Sequence, residues 1–199
     1  MGDPRKQRKK FERPPHPWQG VRIEKEKEIT KKYGLVKKKE IWKMESILRE
    51  FKRQAKSLII RTDPQSKKEE QLLLKKLYHL SLLNEDAKLE NILDLATGDI
   101  MARRLQTIVC AKGLARTSKQ ARQFIVHRHV LINDKKVSVP SYLVKRAEED
   151  KIMFDTRSTL ASADHPERVP IIKKQKSREV KPLERRRQRV ENKPLVIEA

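Results

Sequence analysis

Between Arg103 and Lys136 the chain sets nine Lys or Arg against a single acidic residue, Asp134, and threads them through apolar residues at regular spacing. No other stretch constrains the fold as strongly. It must bury a core on one side while presenting a nearly unopposed positive surface on the other, and such a surface suits phosphate.

The same stretch predicts definite local structure: a helix ending at Gly113, a short loop, a second helix opening at Ser118, then strands meeting at a tight turn near Asn133-Asp134. Projected as one helix from Ile100 to Lys112, Met101, Leu105, Ile108 and Val109 fall on one side. Arg103, Gln106, Thr107 and Cys110 fall on the other, with Arg104 beside them. In the second helix Ala121, Phe124 and Ile125 cluster, while Lys119, Arg122 and Gln123 share the opposite sector with Val126 as an exception. "VLIN", "KKVSV", "YLV" and "KIMF" are predicted as short strands, and Pro140 marks a break or an edge because it cannot donate to a ladder.

Upstream, the pattern is helical. A charged helix is expected from Val21 to Tyr33, capped by Gly34. In the next, Ile41, Met44, Leu48, Phe51, Ala55 and Leu58 recur at alternating spacings of three and four, one apolar stripe on one face. Lys43, Arg49, Lys52, Arg53 and Lys56 lie off that stripe, where a solvated face and RNA contact both fit. "TDPQSKKEE" opens another helix, through Asp63 as N-cap with Pro64 at the first helical position or through a Ser66/Glu69 capping box. Leu73, Leu77 and Leu80, with Leu83 or Leu74, supply its apolar face. Glu85 to Asp99 holds five acidic residues against Lys88 and is expected to be a solvent-facing joint with a short helix over Leu89–Leu95.

Both ends are basic and broken by proline. Residues 1–19 carry six Lys or Arg and four Pro, a composition for an extended arm, with Phe11 and Trp18 set among the cations to order against RNA. Residues 168–199 carry eleven Lys or Arg against four Glu and are expected to order only on a partner, with "ERRRQRVE" as the one potential helix. The formal net charge of +22 on 199 residues implies a polyanionic partner. No apolar run approaches the roughly 18 residues of a membrane span, and the N-terminus lacks a signal-peptide core, so a soluble, intracellular protein without a membrane partner is expected. Cys110 is the lone cysteine and His127 and His129 are two apart, so neither a disulfide, a metal site nor a cofactor is expected.

"RRLQTIV", "TSKQARQFI" and "VLIND" make Arg103 to Phe154 similar to the S-four-type RNA-binding module. With "GDPRKQRKKFERPPHPW" and "LLNEDAKLENILDL", nearly the whole chain resembles the archaeal and eukaryotic branch of the S-four family of small-subunit ribosomal proteins. The resemblance implies an α+β, mostly helical fold. A basic arm (1–20) and a helical domain (21–99) precede the module (100–160), in which two helices lean on a small antiparallel sheet, and a basic C-terminal extension (161–199) follows. It implies a structural constituent of the small ribosomal subunit, located in the cytoplasm. Such a protein binds small-subunit ribosomal RNA as a primary binder, nucleates assembly of the 5′ domain, contacts neighbouring small-subunit proteins, and supports translational accuracy beside the path of entering messenger RNA. The expected RNA contacts of the module are Arg103, Arg104, Gln106, Lys112, Arg116, Thr117, Ser118, Lys119, Arg122, Gln123, His127, Arg128, His129, Lys135 and Lys136. Those of the arm are Arg5, Lys6, Arg8, Lys9, Lys10, Arg13 and Trp18. Two departures stand out: the family's Asn-Gly turn is Asn133-Asp134 here, and the zinc-binding cysteines of some bacterial members are absent.

The residues agree with this independently. Nine aromatic residues are few for a platform that stacks splayed bases, whereas scattered Arg, Lys, Ser, Thr and Gln suit phosphates and 2′-hydroxyls of folded RNA. Replacing both Lys119 and Arg122 by Glu is expected to lower RNA affinity while leaving folding nearly intact. Two other readings are an RNA-modifying enzyme carrying the same module and a free-standing RNA-binding protein. The first finds no phosphate-cradling loop among only five glycines; the second is separated by whether the protein stays with small subunits at high salt.

Overall fold

The computed structural model describes Lys9 and residues 11–61, 63–162 and 165–167. Arg5, Lys6, Arg8 and Lys10 of the expected arm, and nearly all of the expected C-terminal extension, lie outside the described residues.

The first lobe is built on α2 (Lys39–Ile60), whose apolar stripe Ile41, Met44, Leu48, Phe51, Ala55 and Leu58 is buried in full. Full burial stabilises by about 1.5–3 kcal/mol for each large apolar side chain, so this stripe is the main reason the lobe folds. Against it pack α1 (Gly20–Tyr33), α3 (Pro64–His79), α4 (Leu89–Asp94) and α5 (Thr97–Ala102). Helix α3 starts at Pro64, but Asp63 makes no side-chain cap; Ser66 Oγ instead donates to the Asp63 and Arg61 carbonyls at 2.6 and 3.1 Å. The acidic joint is only half solvated: Glu85, Asp86, Glu90 and Asp94 are exposed while Leu89, Ile92 and Leu95 enter the core.

The helix expected from Ile100 to Lys112 is two helices. Helix α5 sends Ile100 and Met101 into the first core, the chain turns at Arg103-Arg104, and α6 (Leu105–Ala111) starts a second core. The break has a cause in the segment 139–144, which does not form the expected third strand. Its carbonyls cap α6 instead: the Leu105 and Gln106 N–H groups donate to Tyr142 O (2.8 Å) and Pro140 O (3.3 Å), satisfying donors that any helix N-terminus leaves unpaired. Arg104 forms a single bridge with Leu143.

In the second lobe, α6 and α7 (Ser118–Val126) pack against an antiparallel sheet of order β2-β1-β3, made of β1 (Val130–Ile132), β2 (Lys135–Lys136) and β3 (Ile152–Phe154). A short helix, α8 (Arg146–Glu149), precedes β3. Ala121, Phe124 and Ile125 from α7 meet Val130, Ile132, Ile152 and Phe154, with Phe124 and Phe154 edge to face at 5.9 Å. The β1–β2 turn puts Asn133 and Asp134 at φ 46° and 63°, both left-handed. Asp134 thus adopts the conformation for which glycine is preferred.

Candidate nucleic-acid interface

Helix α7 fixes the geometry. Thr117 caps it, its hydroxyl accepting from the Gln120 N–H at 3.2 Å, and the buried Ala121, Phe124 and Ile125 turn Lys119 and Gln123 to solvent. The C-terminal end closes with Arg128 at φ 62° and the His129 N–H donating to Phe124 O at 3.0 Å, which leaves His127 and Arg128 exposed. The β1–β2 hairpin adds Lys135 and Lys136. Among the described residues, the side chains of Lys119, Gln123, Arg128 and Lys135 form no ion pair and no hydrogen bond. They are a set of exposed donors on one helix and the neighbouring hairpin, with side chains uncommitted for phosphate oxygens.

The remaining expected contacts are partly or wholly engaged. His129 is half-buried, its Nδ1 2.9 Å from Ser158 Oγ. Lys136 is paired with Asp155, whose carboxyl is held below its ordinary range by that hydrogen bond and by the Arg157 N–H. Lys112 reaches the Glu149 carbonyl and lies 3.8 Å from Asp150. The Arg116 guanidinium contacts the Pro166 carbonyl, and the Arg116 backbone N–H donates to Gln120 Oε1 at 2.8 Å. Ser118 is half-buried against Gly34.

Four of the expected RNA contacts are engaged within the protein: Arg104 and Gln106 are buried, and Arg103 and Arg122 are partly exposed. Arg104 is 1% exposed and donates to Glu40 at the start of α2. Arg122 donates to both oxygens of the same carboxylate at 3.0 and 3.1 Å. Gln106, also 1% exposed, donates through Nε2 to Ser118 O (2.8 Å), Tyr33 O and Gly34 O (both 3.2 Å). Arg103 pairs with Glu149 at 2.8 Å. Arg104, Arg122 and Gln106 join the two lobes, while Arg103 ties α5 to α8. Because Arg122 pairs with Glu40, Arg122→Glu would set a second carboxylate beside it, so exchanging Lys119 and Arg122 for Glu should also act on folding.

Two further residues complete this joint: Glu40, which the sequence expectations did not include, and Gly34, expected there only as a helix cap. Burial alone would raise the Glu40 pKa, but the hydrogen bonds and charges of Arg104 and Arg122 outweigh it and hold the carboxyl below its ordinary value. Gly34 takes φ 61°, and a Cβ there would stand 2.8 Å from Ser118 Cβ, so α1 can press on the start of α7 only with glycine at this position. No local pattern announces either role, because the partners lie 64 and 82 residues from Glu40.

The described part of the arm is seated on the first lobe. Phe11 packs against Trp42 at 6.1 Å, the Glu12 N–H donates to Ser46 Oγ at 3.1 Å, and Glu12 pairs with Arg49. Arg22 donates to His16 O and Pro17 O at 2.8 and 2.9 Å. Phe11 is therefore spent on docking the arm, whereas Lys9 and Arg13 are exposed and Trp18 is 89% exposed.

Residues 103–152 match the family model described as the S4 domain. The chain is 53% identical over 170 residues to small ribosomal subunit protein uS4 of Methanococcus maripaludis (strain S2), covering 85% of this chain and 96% of that protein. It is 52% identical over 174 residues to uS4 of Methanococcus aeolicus, covering 87% and 98%. Against uS4 of Methanothermobacter thermautotrophicus the figures are 49% over 154 residues, covering 77% and 90%.

Proposed function

The chain belongs to the uS4 family of small ribosomal subunit proteins, and from that premise we propose how it does its work. It is a structural constituent of the small subunit that binds ribosomal RNA through its S4 domain. In our reading the contact face of that domain is the outer side of α7 with the β1–β2 hairpin, carried by Lys119, Gln123, His127, Arg128 and Lys135, with Lys136, Lys112, Arg116, Thr117 and Ser118 at its margins. The observation that supports it is that Lys119, Gln123, Arg128 and Lys135 are exposed donors whose side chains form no ion pair and no hydrogen bond among the described residues, while His127 stacks on His129. Lys9, Arg13 and Trp18 of the arm extend the contact from the first lobe.

On the same reading the protein acts without catalysis, in the cytoplasm. It binds the 5′ domain of the ribosomal RNA early in assembly and stands near the path of entering messenger RNA, where a rigid joint between its lobes supports accuracy. The lobes divide the work: residues 21–102 brace, and residues 103–160 bind.

Co-sedimentation with small subunits through a salt gradient tests the membership in the particle. The protein is expected to remain bound at salt that strips loosely held basic proteins; release together with them would contradict it. Crosslinks from ribosomal RNA should fall on Lys119, Arg128 and Lys135 and spare Arg104 and Arg122.

A further inference from the structure

Three prolines between Phe11 and Trp18 keep the arm from forming a helix of its own, yet the first lobe holds it at two separate points. At one, the Phe11 ring packs on the Trp42 indole, and the Glu12 N–H donates to Ser46 Oγ, which itself donates to Trp42 O at 2.8 Å. At the other, Arg22 Nη2 donates to the carbonyls of His16 and Pro17. Trp42 belongs to α2 and Arg22 to α1, but the two anchors meet on one atom. Glu26 Oε1 accepts from Arg22 Nη1 and from Trp42 Nε1, both at 3.0 Å, while its Oε2 lies 3.4 Å from Lys38 Nζ. The Glu26 side chain is 4% exposed. A carboxylate so deeply buried needs partners for both oxygens. Here two of those partners are the groups that grip the arm.

We propose that Glu26 is the latch of the arm: a single buried carboxylate orients both anchors, so that residues 11–17 dock on the first lobe as one unit in the free protein. Arg22 presents its donors in a rigid fork, so with Nη1 on Glu26 its Nη2 is aimed at the two carbonyls that precede Trp18. With Nε1 tied to the same oxygen, the Trp42 ring is set where Phe11 packs. Among the described residues neither Arg22 Nη1 nor Trp42 Nε1 has another acceptor. Without the carboxylate both side chains swing free, and the arm loses both anchors at once. The Glu12–Arg49 pair does not replace them, because its side chains are 72% and 60% exposed and such a pair is too weak to order a chain segment. The latch is a property of the free chain and goes beyond RNA binding. Composition alone leaves the arm extended until a partner arrives, whereas a latched arm is ordered beforehand, with Trp18 held out to solvent from a fixed base. The entropy of ordering this segment then falls on folding and not on a later binding step.

The test uses the full chain without RNA. In a Trp18→Phe background Trp42 is the one tryptophan, and acrylamide quenching of its fluorescence reads whether Phe11 covers it. Cleavage by endoproteinase Glu-C after Glu12, identified by mass, reads whether the arm is open. Phe11→Ala sets both values for a released arm. Glu26→Ala should match it, with cleavage after Glu12 faster by about tenfold or more, since cleavage follows the population of the open segment. Arg22→Ala is the second variant: it leaves Glu26 with Trp42 and Lys38 and touches neither Phe11 nor Glu12. It should nonetheless speed cleavage after Glu12 and raise quenching of Trp42, with the helical circular dichroism retained. Release of the arm in both variants supports the latch. Parental cleavage and quenching in either folded variant overturn it, because the anchors then act independently of the carboxylate or of each other. Where Glu26→Ala fails to fold, Arg22→Ala decides by the same two readouts. Neither readout involves RNA, so the outcome is separate from that of the α7 face.

Discussion

Replacing Glu40 by Ala is the most informative single perturbation of this fold. The carboxylate is shared by Arg104, which is 1% exposed, and Arg122, whose side chain is 28% exposed. Removing one member of a buried pair costs about 3–5 kcal/mol because the other charge is left without compensation, whereas exposed pairs are worth about 0–1 kcal/mol. With one partner at the buried limit and the other between the two, the loss should be about 3 kcal/mol. For a chain of this size each kcal/mol moves the melting temperature by about 2–4 °C, so Glu40→Ala should melt about 6–12 °C lower in calorimetry or circular dichroism. Adding Arg104→Met should recover most of the loss, since a buried ion pair replaced by apolar groups is often neutral. Glu12→Ala, which removes the exposed pair with Arg49, should shift melting by no more than about 2–4 °C. A Glu40→Ala variant melting with the parent, or a double variant worse than the single one, would refute the clamp. The pH dependence has a definite sign. Arg104 and Arg122 depress the folded-state pKa of Glu40 below its ordinary value of 4.5, against the opposing effect of burial. The clamp is thus complete above the ordinary value and is lost as pH falls through the lower folded one, so Glu40→Gln should flatten the acid limb of the stability curve.

Gly34→Ala should destabilise by about 1–3 kcal/mol, from the left-handed backbone and the 2.8 Å approach to Ser118 Cβ, measured by urea unfolding. Gln106→Leu strips the donor from three carbonyls of the joint and should cost about 3 kcal/mol, without the change in salt slope that marks a lost phosphate contact. Asp134→Gly relieves φ 63° in the hairpin turn and should raise stability by about 0.5 kcal/mol, read as a small rise in melting temperature.

Much of the fold was legible because periodicity is a local signal. The α2 stripe repeats over five intervals, and each of its six residues is buried. Gly34 was legible as a cap, and Ala121, Phe124 and Ile125 as the inner face of α7. The joint was not legible, because a helical projection presumes an uninterrupted helix. Once the chain breaks at Arg103-Arg104, the phase established by Met101 no longer applies to Gln106, and a residue assigned to the polar face turns into the interior. The cause of the break lies in the carbonyls of Pro140 and Tyr142, more than thirty residues downstream. Basic residues were likewise legible as basic but not as paired. Nothing adjacent to Arg122 in the chain distinguishes it from Lys119, and the Glu40 that does so lies in another lobe.

We propose that the exposed donors of α7 and its hairpin bind RNA, while Arg104, Gln106 and Arg122 hold the lobes together. The most direct measurement is the salt dependence of affinity for small-subunit ribosomal RNA in Lys119→Ala/Arg128→Ala/Lys135→Ala. The variant should melt with the parent, because exposed substitutions change stability by about 0.5 kcal/mol or less per site. Its slope of log affinity against log salt should be shallower by about 2, one increment of 0.7–0.9 for each lost phosphate contact. A folded variant with the parental affinity and slope would contradict the account.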